Sequence, residues 1–220
     1  MRVIVLAAGQ GYQLDGFNKL LIRDPLDGQR IFEKYISAFP NMEITVVVGY
    51  RAINVMQQYP DFSYIYNQDW AVSNNSYSLS LAISDEPCYV ISGDLFIQPE
   101  LIQLLEESGP NVILTQNREN RTMSALNVSM DENRRINEVY QGKLLNISDP
   151  EAVGIFKISS PDLLKEWHRN CRKYRNLFVG QNLPYNTSRP ITSIDLDKHR
   201  LCEINTPMDY IRLLDKEKDQ

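Results

Sequence analysis

The first 107 residues alternate short, almost wholly apolar runs with stretches of helical periodicity, and that alternation leaves few folds open. "RVIVLAA" (2–8), "EITVVVGY" (43–50), "SYIY" (63–66) and "CYVISGD" (88–94) are rich in β-branched residues. The longer runs lack the polar alternation of a strand with one wet face, so they read as strands covered on both sides. Helical candidates lie between and after them, around "RIFEKYISAF" (30–39) and at 51–58, 75–84 and 99–107. Strand and helix in turn predict an α/β fold with a doubly wound, mainly parallel sheet.

The second half is less regular. "VILTQ" (112–116), "SALNVSM" (124–130), "INEVY" (136–140) and "AVGIFKIS" (152–159) have strand character, with "DENRR" as a turn between two of them. This predicts a mixed sheet with a small β-rich insertion, roughly 117–200, within a single domain spanning 1–220. Two helices are announced by their first turns: Ser160 before Pro161, and Thr206 before Pro207 with Asp209 three residues after the cap.

Composition narrows the partners. The net charge of −5, with no block of like charges, does not favour a nucleic-acid backbone, so an anionic ligand must be held locally. The first apolar run ends at Gly9, too short for a membrane span or a signal-peptide core, and a cytoplasmic protein without a membrane partner is expected. Cys88, Cys171 and Cys202 have no metal-ligand spacing and read as reduced thiols. Oligomeric state is open, a homo-oligomer included.

Ligands of open parallel sheets collect beyond the carboxyl ends of the strands, and phosphates favour the loop after the first. There "LAAGQGYQLDGFNKLL" (6–21) places Gly9 and Gly11, which let backbone N–H groups approach an anion, with Lys19 eight residues beyond Gly11. The dinucleotide fingerprint fails, because Leu14 stands where a third glycine is needed. The Walker pattern fails because Lys19 adjoins no Ser or Thr. A plain turn after a strand would look similar.

The stretch resembles the signature of nucleotidyltransferases of the sugar-nucleotide and cytidylyltransferase superfamily, L-A-A-G-x-G-x-R followed by P-K and an apolar pair. Leu6, Ala7, Ala8, Gly9, Gly11, Lys19, Leu20 and Leu21 match; Gln13 replaces the arginine and Asn18 the proline. "VISGDLF" (90–96) is similar to the family's strand ending in a metal-binding aspartate, here Asp94. "EINTPMDY" (203–210) is similar to its E-I-D/N-T-P-x-D motif, with Asn205 facing the same metal, as in the molybdenum-cofactor guanylyltransferase branch. Glu203, on the same strand face as Asn205, is a fallback ligand through water. "YNQDWAVSNNSYSL" (66–79) resembles bacterial phosphocholine cytidylyltransferases and related phosphonate-activating enzymes.

The resemblance implies the nucleotide-diphospho-sugar transferase fold and transfer of CMP from CTP to a small phosphate- or phosphonate-bearing acceptor, with Mg²⁺ as cofactor. It implies Lys19 and Asp94 as catalytic residues, and Asp94 and Asn205 as metal ligands. It places the nucleotide on Leu6, Ala7, Ala8, Gly9, Gln10, Gly11, Gln13, Lys19, Asn67, Asn75, Ser76 and Gly93, and the acceptor near Trp70 and Tyr77. Arg23 is a candidate substitute for the missing arginine. Ser73, Asn74 or Asn75 is equally well read as the cap of the helix that follows. A sugar-phosphate or molybdopterin-type acceptor with UTP or GTP, and a nucleotide-binding domain without catalysis, are the alternatives. His168, His199, Asp195 and Asp197 read as surface residues. An aromatic box for a quaternary ammonium could draw on Trp70, Tyr77, Tyr140, Trp167 and Tyr185, although core packing explains scattered rings as well.

Overall fold

The computed structural model describes residues 1–118, 121–196 and 201–215. His199 and Asp197 fall outside the described residues. The order is β1 (Arg2–Ala7), α1 (Ile31–Ala38), β2 (Ile44–Val48), α2 (Ala52–Gln58), β3 (Ser63–Tyr66), α3 (Asn75–Ala82), β4 (Cys88–Ser92), β5 (Leu95–Phe96), α4 (Pro99–Glu107), β6 (Asn111–Gln116), β7 (Leu126–Met130), β8 (Ile136–Gln141), β9 (Glu151–Ile158), α5 (Pro161–Lys173), β10 (Thr192–Asp195), β11 (Cys202–Glu203) and α6 (Pro207–Asp215). Short 3-10 turns occupy Tyr12–Leu14, Lys19–Leu21 and Val179–Asn182. No helix among the described residues is long and apolar enough to cross a membrane.

The main sheet runs β10-β6-β9-β4-β1-β2-β3. Strands β4, β1, β2 and β3 are mutually parallel, and β10 is parallel to β6. β9 enters antiparallel between β4 and β6 and carries β7, whose partner β8 completes the expected hairpin. Its turn is tied by Asp131, which accepts the backbone N–H groups of Asn133 and Arg135, both at 2.9 Å. The fold is the mixed, mainly parallel α/β sheet expected from the sequence.

The unbroken apolar runs are explained by helices on both faces. Val3 and Val5 of β1 pack with Phe32 and Tyr35 of α1, whereas Ile4 and Leu6 face Leu79 of α3 and Trp167 of α5. Every one of these side chains is at least nine-tenths buried, and the transfer of such a side chain from water contributes roughly 1.5–3 kcal/mol. Buried Lys157 donates to the carbonyls of Leu105, at 2.6 Å, and Ser108, at 3.2 Å, closing the end of α4.

Pro161 opens α5 behind Ser160 as expected, and Ser160 occupies the N-cap position without a side-chain cap. The backbone N–H groups of Ser159 and Ser160 instead donate to Asn111 Oδ1, both at 3.2 Å, and the buried Ser160 Oγ is left without a partner. The other cap forms as expected. Asp209 N donates to Thr206 Oγ1 at 3.2 Å, and Asp209 Oδ2 accepts from Thr206 N at 2.8 Å.

Candidate active site

The carboxyl ends of β1, β3 and β4 open on one side of the sheet, and the segments leaving them enclose a cavity of about 220 Å³. Ala7, Ala8, Gly9 and Gly11 line it from the loop after β1, Asn67 and Trp70 from the segment after β3, and Gly93 and Asp94 from the end of β4. The loop is anchored by Tyr50 N, which donates to Ala8 O at 3.1 Å. Gly11 has φ +59°, the left-handed turn that starts the 3-10 segment. Gly93 is required by crowding: a Cβ there would stand 2.8 Å from Leu6 O and 2.9 Å from Ala7 Cβ.

Asp94 is brought to its partners by two short strands with little signature of their own. β11 pairs antiparallel with β5, Glu203 opposite Leu95, and Ile204 N donates to Asp94 O at 2.9 Å. This pairing carries Asn205 from the far end of the chain to the strand that presents Asp94. Lys19 Nζ then lies 2.9 Å from Asp94 Oδ2 and donates to Asn205 Oδ1 at 2.6 Å. Asp94 Oδ1 is buried with no hydrogen-bond partner. Glu203 Oε1 accepts from Asn205 Nδ2 at 2.7 Å. Burial first, and the charge of Asp94 next, push the Glu203 carboxyl above the usual range, against the opposing pull of Asn205, Arg118 and Lys19.

Two residues hold this cluster from behind. The fully buried Tyr35 of α1 shares its one hydroxyl proton between Ser92 O (2.7 Å) and Leu95 O (2.9 Å) and accepts from Leu95 N (3.2 Å), gripping the chain on both sides of Asp94. Burial, and then the charge of Asp94, raise its phenol well above the ordinary value, so it stays a neutral donor. Asp209 Oδ2 accepts from Asn205 N at 3.1 Å as well as from Thr206 N, so the cap of α6 also orients Asn205.

A second cavity, of about 710 Å³, lies between this cluster and the β7–β8–β9 excursion. Asn75, Ser92 and Asp94 line both spaces, which therefore meet at Asp94. It is lined by Arg118, Arg121 and Glu151 as well as by Gln13, Glu203 and Asn205. Arg118 sits between two carboxylates, its Nε 3.6 Å from Glu151 Oε2 and its Nη1 3.6 Å from Glu203 Oε2.

The structure gathers Leu6, Ala7, Ala8, Gly9, Gly11, Lys19, Asn67, Asn75, Gly93 and Asp94 around the smaller space, and Asn205 beside it. It separates others. Ser76 is fully buried behind the wall, accepting from Asn182 Nδ2 at 2.7 Å. Tyr77 lies under the Arg175 guanidinium, 4.1 Å from its ring centre, and lines neither cavity. Trp70 lines the glycine-loop cavity and not the larger one. Gln10 lines neither cavity, and Gln13 lines the larger one. Arg23 turns away and donates to Gly28 O at 2.7 Å. Asn74 is the cap of α3, its Oδ1 accepting from Asn75 N at 2.7 Å, whereas Asn75 Oδ1 accepts from Val179 N at 3.0 Å. His168 on α5 and Asp195 on β10 line neither cavity.

The aromatic box does not assemble either. Trp167 is buried and donates to Val179 O at 2.8 Å, Tyr140 donates to Asp149 Oδ2 at 2.5 Å, and Tyr185 donates to Gly180 O. Sequence reasoning missed Tyr35, Arg118, Arg121 and Glu151. Tyr35 sits on the apolar stripe of its helix and reads as core, and the other three fall in the region of weakest pattern.

Residues 3–178 match the MobA-like NTP transferase domain. A search of curated protein sequences gives no match. Among solved structures, the CTP:phosphocholine cytidylyltransferase from Streptococcus pneumoniae superposes with a TM-score of 0.76 at 17% identity, covering 98% of each chain. The inositol-1-phosphate CTP transferase from T. maritima gives 0.71 at 20% identity, over 99% of this chain and 96% of that one. A nucleoside-diphosphate-sugar pyrophosphorylase from Vibrio cholerae gives 0.69 at 12% identity, over 98% and 100%. At these identities the likeness is one of fold, that of the nucleotide-diphospho-sugar transferases.

Proposed function

This chain belongs to the MobA-like NTP transferase domain family and is a nucleotidyltransferase, and on that premise we propose that it transfers CMP from CTP to a small acceptor bearing a phosphate or phosphonate. The observation that carries this reading is the meeting of two cavities at Asp94, with Lys19 and Asn205 in direct contact beside it. A nucleotide in the smaller space and an acceptor in the larger one would face each other across that point.

In this reading the N–H groups of residues 8–11 and the Lys19 ammonium bind the phosphates, and Asn67, Trp70 and Asn75 surround the base. An acceptor oxygen, already anionic at neutral pH, attacks the α-phosphorus. The bond from that phosphorus to the α–β bridging oxygen breaks, and pyrophosphate leaves with the electron pair. Little covalent help is needed, so the protein acts by positioning and charge. Lys19 offsets negative charge on the α-phosphoryl oxygens, and Tyr35 keeps Asp94 in register.

The oxygens at this point suit Mg²⁺: the unpartnered buried Asp94 Oδ1, Asn205 Oδ1 and, through water, Glu203. When bound there, the ion would supply positive charge to the phosphate oxygens. The lean to CTP is supported by the "NNSYSL" stretch and by the CTP-using enzymes whose fold this chain shares.

The test crosses CTP, UTP, GTP and ATP with phosphocholine, aminoethylphosphonate and sugar phosphates in a pyrophosphate-release assay with Mg²⁺. The expected outcome is release with CTP well above the other nucleotides. A preference for UTP or GTP would overturn the choice of nucleotide, and silence with every pair would favour a domain without catalysis.

A further inference from the structure

The larger cavity contains a hydrogen-bond acceptor that the reading above does not use. Glu151 opens β9, and its side chain is only 13% exposed. Its Oε2 is buried without a hydrogen-bond partner; Arg118 Nε, at 3.6 Å, offers charge but no hydrogen bond. A buried carboxylate oxygen left in that state is costly, and an arriving donor relieves it. The same wall carries Arg118 and Arg121, the latter held by Asn127 Oδ1 at 2.9 Å and the carbonyl of Asp149 at 2.5 Å. One wall thus presents fixed positive charge beside a carboxylate in want of a proton donor.

Ring faces are what a quaternary ammonium needs, because it has no N–H to give. Among the described residues lining this cavity the rings are Phe156 and Phe178. Phe156 is 1% exposed and packs on Trp167 at 5.6 Å between ring centres, so its face is already used, and the half-buried Phe178 leaves a single ring where a cage needs several. Trp70 lies in the other cavity, and Tyr77, Tyr140, Trp167 and Tyr185 are engaged elsewhere.

We propose that the acceptor carries, besides its phosphate or phosphonate, a group with its own N–H or O–H, which donates to Glu151 Oε2, and that acceptors ending in a quaternary ammonium are disfavoured. This rests on the nucleotidyltransferase reading of the site. The shared chemistry is a short anionic ester or phosphonate with a donor at its other end, either a primary ammonium or a hydroxyl. A site built around a hydrogen bond rejects the analogue that lacks it much more strongly than an apolar pocket rejects an isostere.

The test compares three acceptors with the intact chain: phosphoethanolamine, its trimethylated counterpart phosphocholine, and glycerol phosphate. Pyrophosphate release gives kcat/KM with CTP, and calorimetry gives acceptor affinity in the presence of a non-hydrolysable CTP analogue. Phosphoethanolamine or glycerol phosphate should exceed phosphocholine by about tenfold or more in both measurements, and whichever leads identifies the donor. Glu151→Leu should raise KM for the preferred acceptor by about tenfold while KM for CTP stays level. Glu151→Gln, which keeps an acceptor oxygen, should lose less with a hydroxyl than with an ammonium. Phosphocholine equal to or better than the others, or an acceptor KM indifferent to Glu151→Leu in a chain that melts normally, overturns the proposal. If affinity shows the preference but no pair releases pyrophosphate, the proposal stands and the catalytic reading fails. If none of the three binds, the proposal fails.

Discussion

Lys19 Nζ sits 2.9 Å from Asp94 Oδ2, an ion pair joining the loop after β1 to the end of β4. The same ammonium also takes the Asn205 oxygen. Lys19 therefore uses Asn205 Oδ1, one of the oxygens proposed to hold Mg²⁺, and the other oxygen of the Asp94 carboxylate, so cation binding and this pair compete. Lys19→Met should tighten Mn²⁺ binding by about tenfold, read from the free-ion signal in electron paramagnetic resonance without nucleotide. Turnover should fall by about a hundredfold or more, because charge on the transferred group is no longer offset. Weaker Mn²⁺ binding in the variant would show that Lys19 organises the oxygens and does not compete for them.

Tyr35 makes a different kind of demand. Its hydroxyl is the buried partner of Ser92 O, Leu95 O and Leu95 N, so Tyr35→Phe leaves three backbone groups short of a bond without changing the shape of the core. A loss of about 1–3 kcal/mol in unfolding free energy is expected by denaturant titration. Since Asp94 lies inside the gripped segment, kcat should fall by about tenfold while acceptor KM changes little. A loss of stability with unchanged kcat would make Tyr35 a core residue and nothing more.

Most of the fold was legible because β1, β2 and β4, the inner strands of the parallel half, are buried on both faces, which leaves β-branched runs between amphipathic stretches. Asp94 and the glycine loop were legible for a related reason: they follow such runs directly. The β5–β11 pair, two residues on each strand, was not. A strand of that length has no periodicity, and only tertiary contact defines it, yet it brings Asn205 to Asp94. The polar residues after β3 show the opposite limit. Cap, buried network and cavity lining draw on the same Asn and Ser residues, so only the backbone could assign Asn74 to the cap and Ser76 to Asn182. Arg118 and Glu151 were hidden because the β-rich excursion places residues by cross-strand register, which the sequence carries weakly.

Asp209 links a helix cap to the site. Its Oδ2 accepts from Asn205 N and Thr206 N, and replacing it by alanine removes both bonds while leaving Thr206 Oγ1 as the remaining cap. Asp209→Ala should cost about 1 kcal/mol of stability. It should also weaken Mn²⁺ binding, whereas Thr206→Ala should cost similar stability and disturb the ion less. Equal effects of the two changes on the ion would remove the positioning role from Asp209.

Acid sensitivity has a source in a carboxylate that lines neither cavity. Burial raises the Glu33 carboxyl, but the Arg30 N–H at 2.7 Å and the Tyr59 hydroxyl at 2.8 Å outweigh it and hold the group below its ordinary 4.5. A carboxyl lowered in the folded chain adds stability that is complete above the unfolded value and is lost as pH falls through the folded one. The midpoint of thermal unfolding should therefore drop with pH below about 4.5, and Glu33→Gln should flatten that limb while lowering the neutral plateau. An unaltered acid limb in the variant would assign the sensitivity to other carboxyls.

Gln13 stands where the resembled signature has arginine, exposed in the turn at Tyr12–Leu14 and lining the larger cavity near Asp94 and Asn205. Arg23, the other cation of this stretch, is held on Gly28 O and faces away. A positive charge at position 13 would be added where the phosphate tail of the nucleotide leaves the glycine loop in the proposed reading. Gln13→Arg should thus lower KM for CTP by about threefold to tenfold at low salt, with the gain shrinking as ionic strength rises through 0.15 M, since an exposed charge is screened within about 8 Å there. In the proposed reading the acceptor's far end lies by Glu151, Arg118 and Arg121, so its KM should hardly move. A fall in acceptor KM with CTP unaffected would put the acceptor's phosphate, and not the triphosphate, beside residue 13.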